Sequence, residues 1–425
     1  MTDTTSATAS LPAGQSTGQS TGTAVAPGKS YWDVVIGHLL RPAAVKCAVG
    51  YVAILVLLAG FIPFLANSRP YTALIAAGPG HPAERIFPLF RSLTNVDYFW
   101  LIGVGAVLLY FPIYRGTARC RDLQLRRSMR MRWLGGMLLA AILGGLLIAC
   151  FHRSYLDAHD YHRMAHDGQI THAVFAPIPW GYATMEPLEK NLVNKLPSAR
   201  HWLGTDGDGR DELARLLWSA RVAMEIGFVS QIIALAIGIV MGSLVGYFVG
   251  VVDLVGMRIV EMVEGIPTFF LILIFIAIYG RDIFVIMLIF GVTGWTGIAR
   301  FIRAEFLRIR KLDYVTAAIA AGLPRSRVML RHMLPNGLTP VLVSVSFGIA
   351  GAITSESGLS YLGVGVNPPT ASWGQMLNAA GKPGVVFRWW QAMGPGMALF
   401  LAVLAFYIIG NAARDAIDPR HMSST

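Results

Sequence analysis

Eight apolar stretches mark this chain, with polar or basic segments between them, at about 44–66, 98–114, 134–151, 222–248, 255–279, 283–302, 338–362 and 392–412. Stretches of roughly 20 apolar residues suit helices that cross a hydrocarbon layer about 30 Å thick. Ile266-Pro267 lies inside the fifth stretch and predicts a bend there. Gly238, Gly242, Gly246 and Gly250 recur every four residues in and after the fourth. That small-residue stripe lets helix backbones approach closely. The pattern predicts an all-α polytopic membrane protein with about eight transmembrane helices.

Composition agrees. Of 425 residues, 54% are hydrophobic and 14% charged, which excludes a string of soluble domains. A net charge of +11 could point to nucleic acid, but the basic residues sit in short loops beside apolar stretches, where they set orientation. Arg115, Arg119, Arg121, Arg126, Arg127, Arg130 and Arg132 face a single acid, Asp122. Residues 300–331 hold eight basic residues against Glu305 and Asp313. Both segments are expected in the cytoplasm, which puts both termini there too. Residues 152–216 hold nine acids against seven Lys and Arg and are expected outside.

Residues 1–40 are rich in Ser, Thr, Gly and Ala and read as a disordered cytoplasmic tail. They lack the apolar core of a signal peptide. Gly22 and Gly28-Lys29-Ser30 are spaced wrongly for a phosphate-binding loop. Cys47 and Cys150 lie in spans and Cys120 in a basic loop, so no disulfide framework is expected.

Candidate chemistry is sparse. His159, His162 and His166 could share one helix face. A metal site is conceivable there, but a solvated face is the favoured reading, because no fourth ligand is evident. No hydrolase motif occurs. A membrane-embedded metal-dependent hydrolase would have to use these outer histidines. A secondary transporter would need a deep coupling carboxylate. Glu225, Glu261 and Glu264 lie near span ends, which leaves Glu356 as the deep candidate for a translocation path. The alternative for Glu356 is a capped carboxylate held between helices.

The most informative stretch is Asp313–Asn336. Tyr314 to Ala321 reads as an Ala-rich helix. Gly322 suits its left-handed end, and Pro324 the first turn of a second helix, expected to stop near Pro335. Arg325, Arg327 and Arg331 ride on that second helix beside Val328, Met329 and Leu330. The run resembles the cytoplasmic coupling loop of ABC importer permeases, the "EAA" loop. Ala317 and Ala318 stand for its alanines, Gly322 for its glycine and Leu334-Pro335 for its Leu-Pro, while Thr316 replaces the acidic residue. Tyr314-Val315, Arg331-His332 and Asn336 match the C-type subunit of the dipeptide/oligopeptide (peptide/nickel) branch. Gly204-Thr205-Asp206 with Gly209-Arg210-Asp211 resembles that family's outer-loop motif. Asp253, Ile266-Pro267, Leu359 to Gly363, Pro368 to Gly374, Asp415 and Asp418-Pro419 resemble later family positions.

The resemblance implies a type I ABC importer permease fold in the bacterial inner membrane. Such permeases have a six-helix core, so the first two spans look like additional helices. The expected segments are the tail 1–40, an N-terminal transmembrane region 41–152 and an extracytoplasmic segment 153–216. A permease core 217–415 follows, with the coupling loop at 303–336 and a cytoplasmic tail at 416–425. The implied function is transport of peptides or related solutes, not catalysis. The implied partners are a second, B-type permease subunit, one or two ATPases and an extracytoplasmic binding protein. ATP and Mg2+ would be bound by those ATPases, and no cofactor by this chain.

Overall fold

The computed structural model describes residues 37–75, 84–117, 123–152, 159–185, 192–381 and 388–417. Most of the expected N-terminal tail, with Gly22 and Gly28-Lys29-Ser30, lies outside the described residues. So do Cys120 and the end of the chain from Asp418-Pro419 onward.

Helices account for each expected span. They are α1 (Ala43–Leu65), the one-turn α2 (Pro88–Arg91), α3 (Asn95–Thr117), α4 (Leu123–Phe151), the short α5 (Tyr161–His166) and α6 (Glu212–Tyr247). Next come α7 (Val251–Glu264), α8 (Thr268–Tyr279) and α9 (Ile283–Ile309). The loop segment contains α10 (Asp313–Ala320), α11 (Arg325–Arg327), a π-helical turn (Val328–Met333) and α12 (Leu334–Gly337). Last are α13 (Thr339–Tyr361), α14 (Trp373–Ala380) and α15 (Trp389–Ile417). Among the described residues seven helices are long and apolar enough to span, or eight counting α7 and α8 as one broken span. That pair is bent by 72° at Gly265-Ile266-Pro267, because proline cannot donate to the preceding turn.

The tightest packing is between α6 and α9. A Cβ placed on Gly238 would lie 2.7 Å from Ile298 Cβ, one on Gly242 2.7 Å from the Ala299 carbonyl oxygen, and one on Gly246 2.7 Å from Phe306 Cβ. The stripe therefore sits at the contact itself. Gly250 lies beyond the contact, with φ +94° and no atom near a built Cβ. It serves the turn into α7 instead.

A second core joins α1, α3, α6, α13, α14 and α15 through Leu55, Trp100, Met224, Ile353, Trp373 and Phe406. Tyr51 of α1 donates to the Ala398 carbonyl of α15 at 3.1 Å. By packing, α1 therefore belongs to the core bundle. No described residue of α4 is buried, and α4 lies against α3. The pair at the edge of the bundle is thus α3 and α4, not the first two spans.

One end of the bundle carries a small antiparallel sheet in the order β2-β1-β3. Its strands are β1 (Thr72–Ile75), β2 (Glu84–Ile86) and β3 (Ile170–Val174). It joins the segment after α1 to the segment after α4, so the expected boundary at residue 153 cuts through one unit. The boundary at 217 falls inside α6, which begins at Glu212.

Glycine at the α6–α9 contact yields a direct prediction. Gly238→Leu and Gly242→Leu should each cost about 1–3 kcal/mol or more through overpacking, read as a lower melting temperature of the purified chain. Gly297→Leu points into open space and should melt like the wild type. Equal melting of all three variants would contradict the close approach.

Candidate functional site: the loop between α9 and α13

The loop forms a two-helix knob at the end of the bundle away from the sheet. Gly322 has φ +77° and ends α10, as expected. Pro324 precedes α11, where its missing N–H costs no hydrogen bond. The second helix does not stop at Pro335. It widens into the π turn, Pro335 enters the first turn of α12, and Leu338 keeps helical angles into α13. Proline breaks no bond at such a start, and the Asn336 side chain caps the His332 carbonyl at 3.0 Å.

Burial separates the loop residues into two groups. Val315 is fully buried and Ala318 is 8% exposed, packed with Phe306, Ile309, Val328 and Met333. They fasten the knob to its own chain and do not face outward, because an eight-residue helix with one apolar stripe buries that stripe on the nearest apolar surface. Tyr314, Ala317, Ile319, Leu330, Arg331 and Pro335 are exposed, and His332 and Leu334 are half-buried. The Tyr314 hydroxyl accepts from Asn336 Nδ2 at 3.0 Å, which fixes the two helices to each other. Arg303 clasps Asp253 through two bonds of 2.6 and 2.8 Å, anchoring the end of α9 to α7.

The outer-loop motif is a folded turn at the sheet-bearing end. Gly204 has φ +74°, and a Cβ there would lie 2.3 Å from the Lys195 carbonyl oxygen. Thr205 is fully buried; its hydroxyl donates to the Leu192 carbonyl and accepts from Lys195 N at 2.9 Å. Asp206 accepts from Arg210 N at 2.9 Å and Arg210 Nε at 2.8 Å across the turn that Gly209 makes at φ +79°. Asp211 caps α6, accepting from Ala214 N at 2.7 Å, and meets His201 Nδ1 at 2.8 Å. Burial pushes the Asp211 carboxyl up, against the lowering pull of those donors. The motif therefore starts and orients α6.

His159 and His166 are exposed, as a solvated face requires, and His162 alone departs from that expectation. His162 stacks on Phe175 at 4.4 Å and Trp180 at 4.9 Å, and its Nε2 meets the Pro179 carbonyl at 2.7 Å. Apolar rings on both sides outweigh its polarity. Among the described residues no group of three His, Cys, Asp or Glu could hold a metal ion.

Glu356 is 1% exposed. Its carboxylate accepts from Ser360 Oγ at 2.6 Å and Ser357 Oγ at 3.4 Å. This is the capped carboxylate between helices, since burial of a charge is tolerable only with such donors. The sequence reading missed a second buried set. Arg221 binds Asp97 and, at 2.9 Å, Glu225, while Trp100 Nε1 donates to Glu225 at 2.8 Å. It ties α3 to α6 across 124 residues of chain, a separation that sequence spacing cannot show.

Removing the Glu356 carboxylate should strand the serine hydroxyls in the core. Glu356→Ala is expected to destabilise the chain by about 1–3 kcal/mol or more and to lower its membrane yield. Glu356→Gln should keep most of that stability. A Glu356→Ala variant with wild-type yield and melting would contradict this structural role.

Comparison with known proteins places this arrangement. Residues 238–422 match the family described as "Binding-protein-dependent transport system inner membrane component". The dipeptide transport system permease protein of Bacillus subtilis (strain 168) is 34% identical over 251 residues, 58% of this chain and 77% of that protein. The oligopeptide transport system permease protein of Haemophilus influenzae is 34% identical over 245 residues, 57% of this chain and 78% of that one. A putative peptide permease protein of Brucella suis is 38% identical over 229 residues, 54% and 76% respectively. The matched region holds the α6–α9 contact, the knob and Glu356, and the chain belongs to the dipeptide/oligopeptide ABC importer permeases as a C-type subunit.

Proposed function

We propose that this subunit carries peptides across the bacterial cytoplasmic membrane, and that the knob at Asp313–Asn336 is where partner ATPases engage it. The observation that carries the reading is the division of the knob's surface. Val315 and Ala318 seat it on α9 and the π turn, and this frees Tyr314, Ala317 and Ile319 to face a partner. A rigidly seated knob transmits displacement to the spans, as hinge-and-shear gating requires. ATP and Mg2+ act on the partner ATPases. The remaining partners are a B-type permease subunit and an extracytoplasmic binding protein. The peptide class follows from the relatives' names, dipeptide and oligopeptide permeases.

Orientation follows from charge. Arg300, Arg303, Arg308 and Arg310 cluster beside the knob, and Arg115, Arg126, Arg130 and Arg132 flank the α3–α4 turn. Excess arginine in short loops favours the cytoplasmic side. The sheet and the α6 cap then lie outside, and both termini inside.

Two neighbouring alanines separate seating from engagement. Ala318→Arg puts a charge into the knob's own core and should destabilise the loop. Ala317→Arg should leave the permease folded but weaken ATPase retention by about tenfold or more, with loss of peptide uptake. Co-purification and uptake in vesicles measure both. Wild-type retention and uptake in Ala317→Arg would sink the assignment of this face.

A further inference from the structure

Residues 115–132, around the turn between α3 and α4, hold seven arginines and one acid, Asp122. Residues 118–122 lie outside the described residues, while Arg115, Arg126, Arg130 and Arg132 on either side are described. Orientation in a membrane needs only an excess of positive charge. The arginines beside the knob are matched by carboxylates: Arg300 pairs with Glu264, Arg303 with Asp253 and Arg308 with Glu305. At the α3–α4 turn one carboxylate cannot neutralise seven guanidiniums, so the segment keeps a large positive charge.

Two of these guanidiniums are held on aromatic rings of α3. Arg115 Cζ lies 4.5 Å from the centroid of Phe111, one turn back on its own helix. Arg130 of α4 reaches across to Tyr114, at 4.0 Å from its centroid, and its Nε donates to Thr117 Oγ1 at 3.1 Å. Stacking engages the flat face of a guanidinium and sets the plane of its N–H edge, the edge that binds phosphate oxygens. A guanidinium held in one plane loses less freedom on binding phosphate than a mobile one.

The surface beside this charge is apolar. Leu108, Leu109 and Phe111 of α3 and Trp133, Leu134 and Leu138 of α4 are exposed. Tyrosine and tryptophan collect at headgroup level, so Tyr114 and Trp133 put their neighbours Arg115 and Arg132 at the depth of lipid phosphates. A phospholipid complements both parts of the surface, its phosphate meeting the arginines and its chains the helix faces. Free phosphate would use the charge alone. Nucleic acid would leave the apolar faces bare, and an apolar partner helix would leave the charge unmatched.

We propose that the α3–α4 turn is a binding site for anionic phospholipid. Arg115 and Arg130 hold the headgroup phosphate, and the acyl chains lie along the exposed faces of α3 and α4. A net negative headgroup is favoured because the arginine excess is not balanced within the segment, whereas phosphatidylcholine brings its own cation. The site lies at the edge of the bundle, and the inference does not depend on what engages the knob or on which solute is carried.

The test is titration of the full purified chain in detergent with phosphatidylglycerol and, separately, phosphatidylcholine, with bound lipid counted by native mass spectrometry. Phosphatidylglycerol is expected to bind about tenfold more tightly or better. Arg115→Gln and Arg130→Lys should each weaken it about threefold or more, the second because lysine keeps the charge but not the planar fork. Arg258→Gln removes an exposed charge from α7 and should bind like the wild type. Melting curves establish which variants are folded; Arg115→Gln changes an exposed side chain and keeps the test open if Arg130→Lys unfolds. Equal affinity for the two lipids overturns the site, and so does unchanged binding in either folded variant. Equal weakening by Arg258→Gln would show diffuse charge attraction and overturn it too. Displacement of the lipid by soluble glycerol phosphate would assign the arginines to free phosphate, and displacement by a double-stranded oligonucleotide would assign them to nucleic acid. Loss of the lipid on assembly of the transporter would give the face to a partner helix. Each of these three results overturns the lipid site.

Discussion

The close approach of α6 and α9 is the constraint on which the rest of the structure depends. Three glycines at four-residue spacing let the backbones meet where any side chain would collide. In a membrane there is no water to expel from between helices, so association rests on packing and on internal hydrogen bonds. The glycine contact fixes α9, and the end of α9 carries the knob. The start of α6 is fixed separately by the Asp206–Arg210–Asp211 turn. One 36-residue helix therefore runs from a capped, buried turn at one end of the bundle to the base of the knob at the other.

Within that frame the charged residues divide by setting. Asp253 and Arg303 clasp each other near the knob, partly exposed, with bidentate geometry that gives direction more than stability. The Asp97–Arg221–Glu225 set is buried and holds α3 against α6. Loss of one member would leave the others uncompensated, which is where such sets exert their largest effect. Among the described residues Glu356 has no cationic partner, and it relies on the hydroxyls of Ser357 and Ser360 of its own helix and of Ser372 at the start of α14.

The spans were legible because hydrocarbon makes one demand of every crossing segment, a continuous apolar helix. The turn at Gly322 and the break at Ile266-Pro267 were legible because glycine and proline act locally. The sheet was not. Its strands are three to five residues long, and β1 pairs with β3 across two intervening spans. The face of α10 was not legible for a related reason, since only packing shows that the chain's own Val328 and Met333 cover Val315 and Ala318. His162 likewise looked solvated until the Phe175 and Trp180 rings closed on it. Pro335 looked like a stop because the π turn that carries the chain past it has no sequence mark.

The central claim is that the exposed side of α10 meets the ATPase while the buried side holds the knob in place. Site-specific cross-linking tests it most directly. Single cysteines at Ile319→Cys and Val315→Cys would be introduced on a background with the three native cysteines replaced, and treated with a short bifunctional reagent in the assembled transporter. The account predicts a cross-link to the ATPase from position 319 and none from position 315. A cross-link from 315 with none from 319 would contradict it.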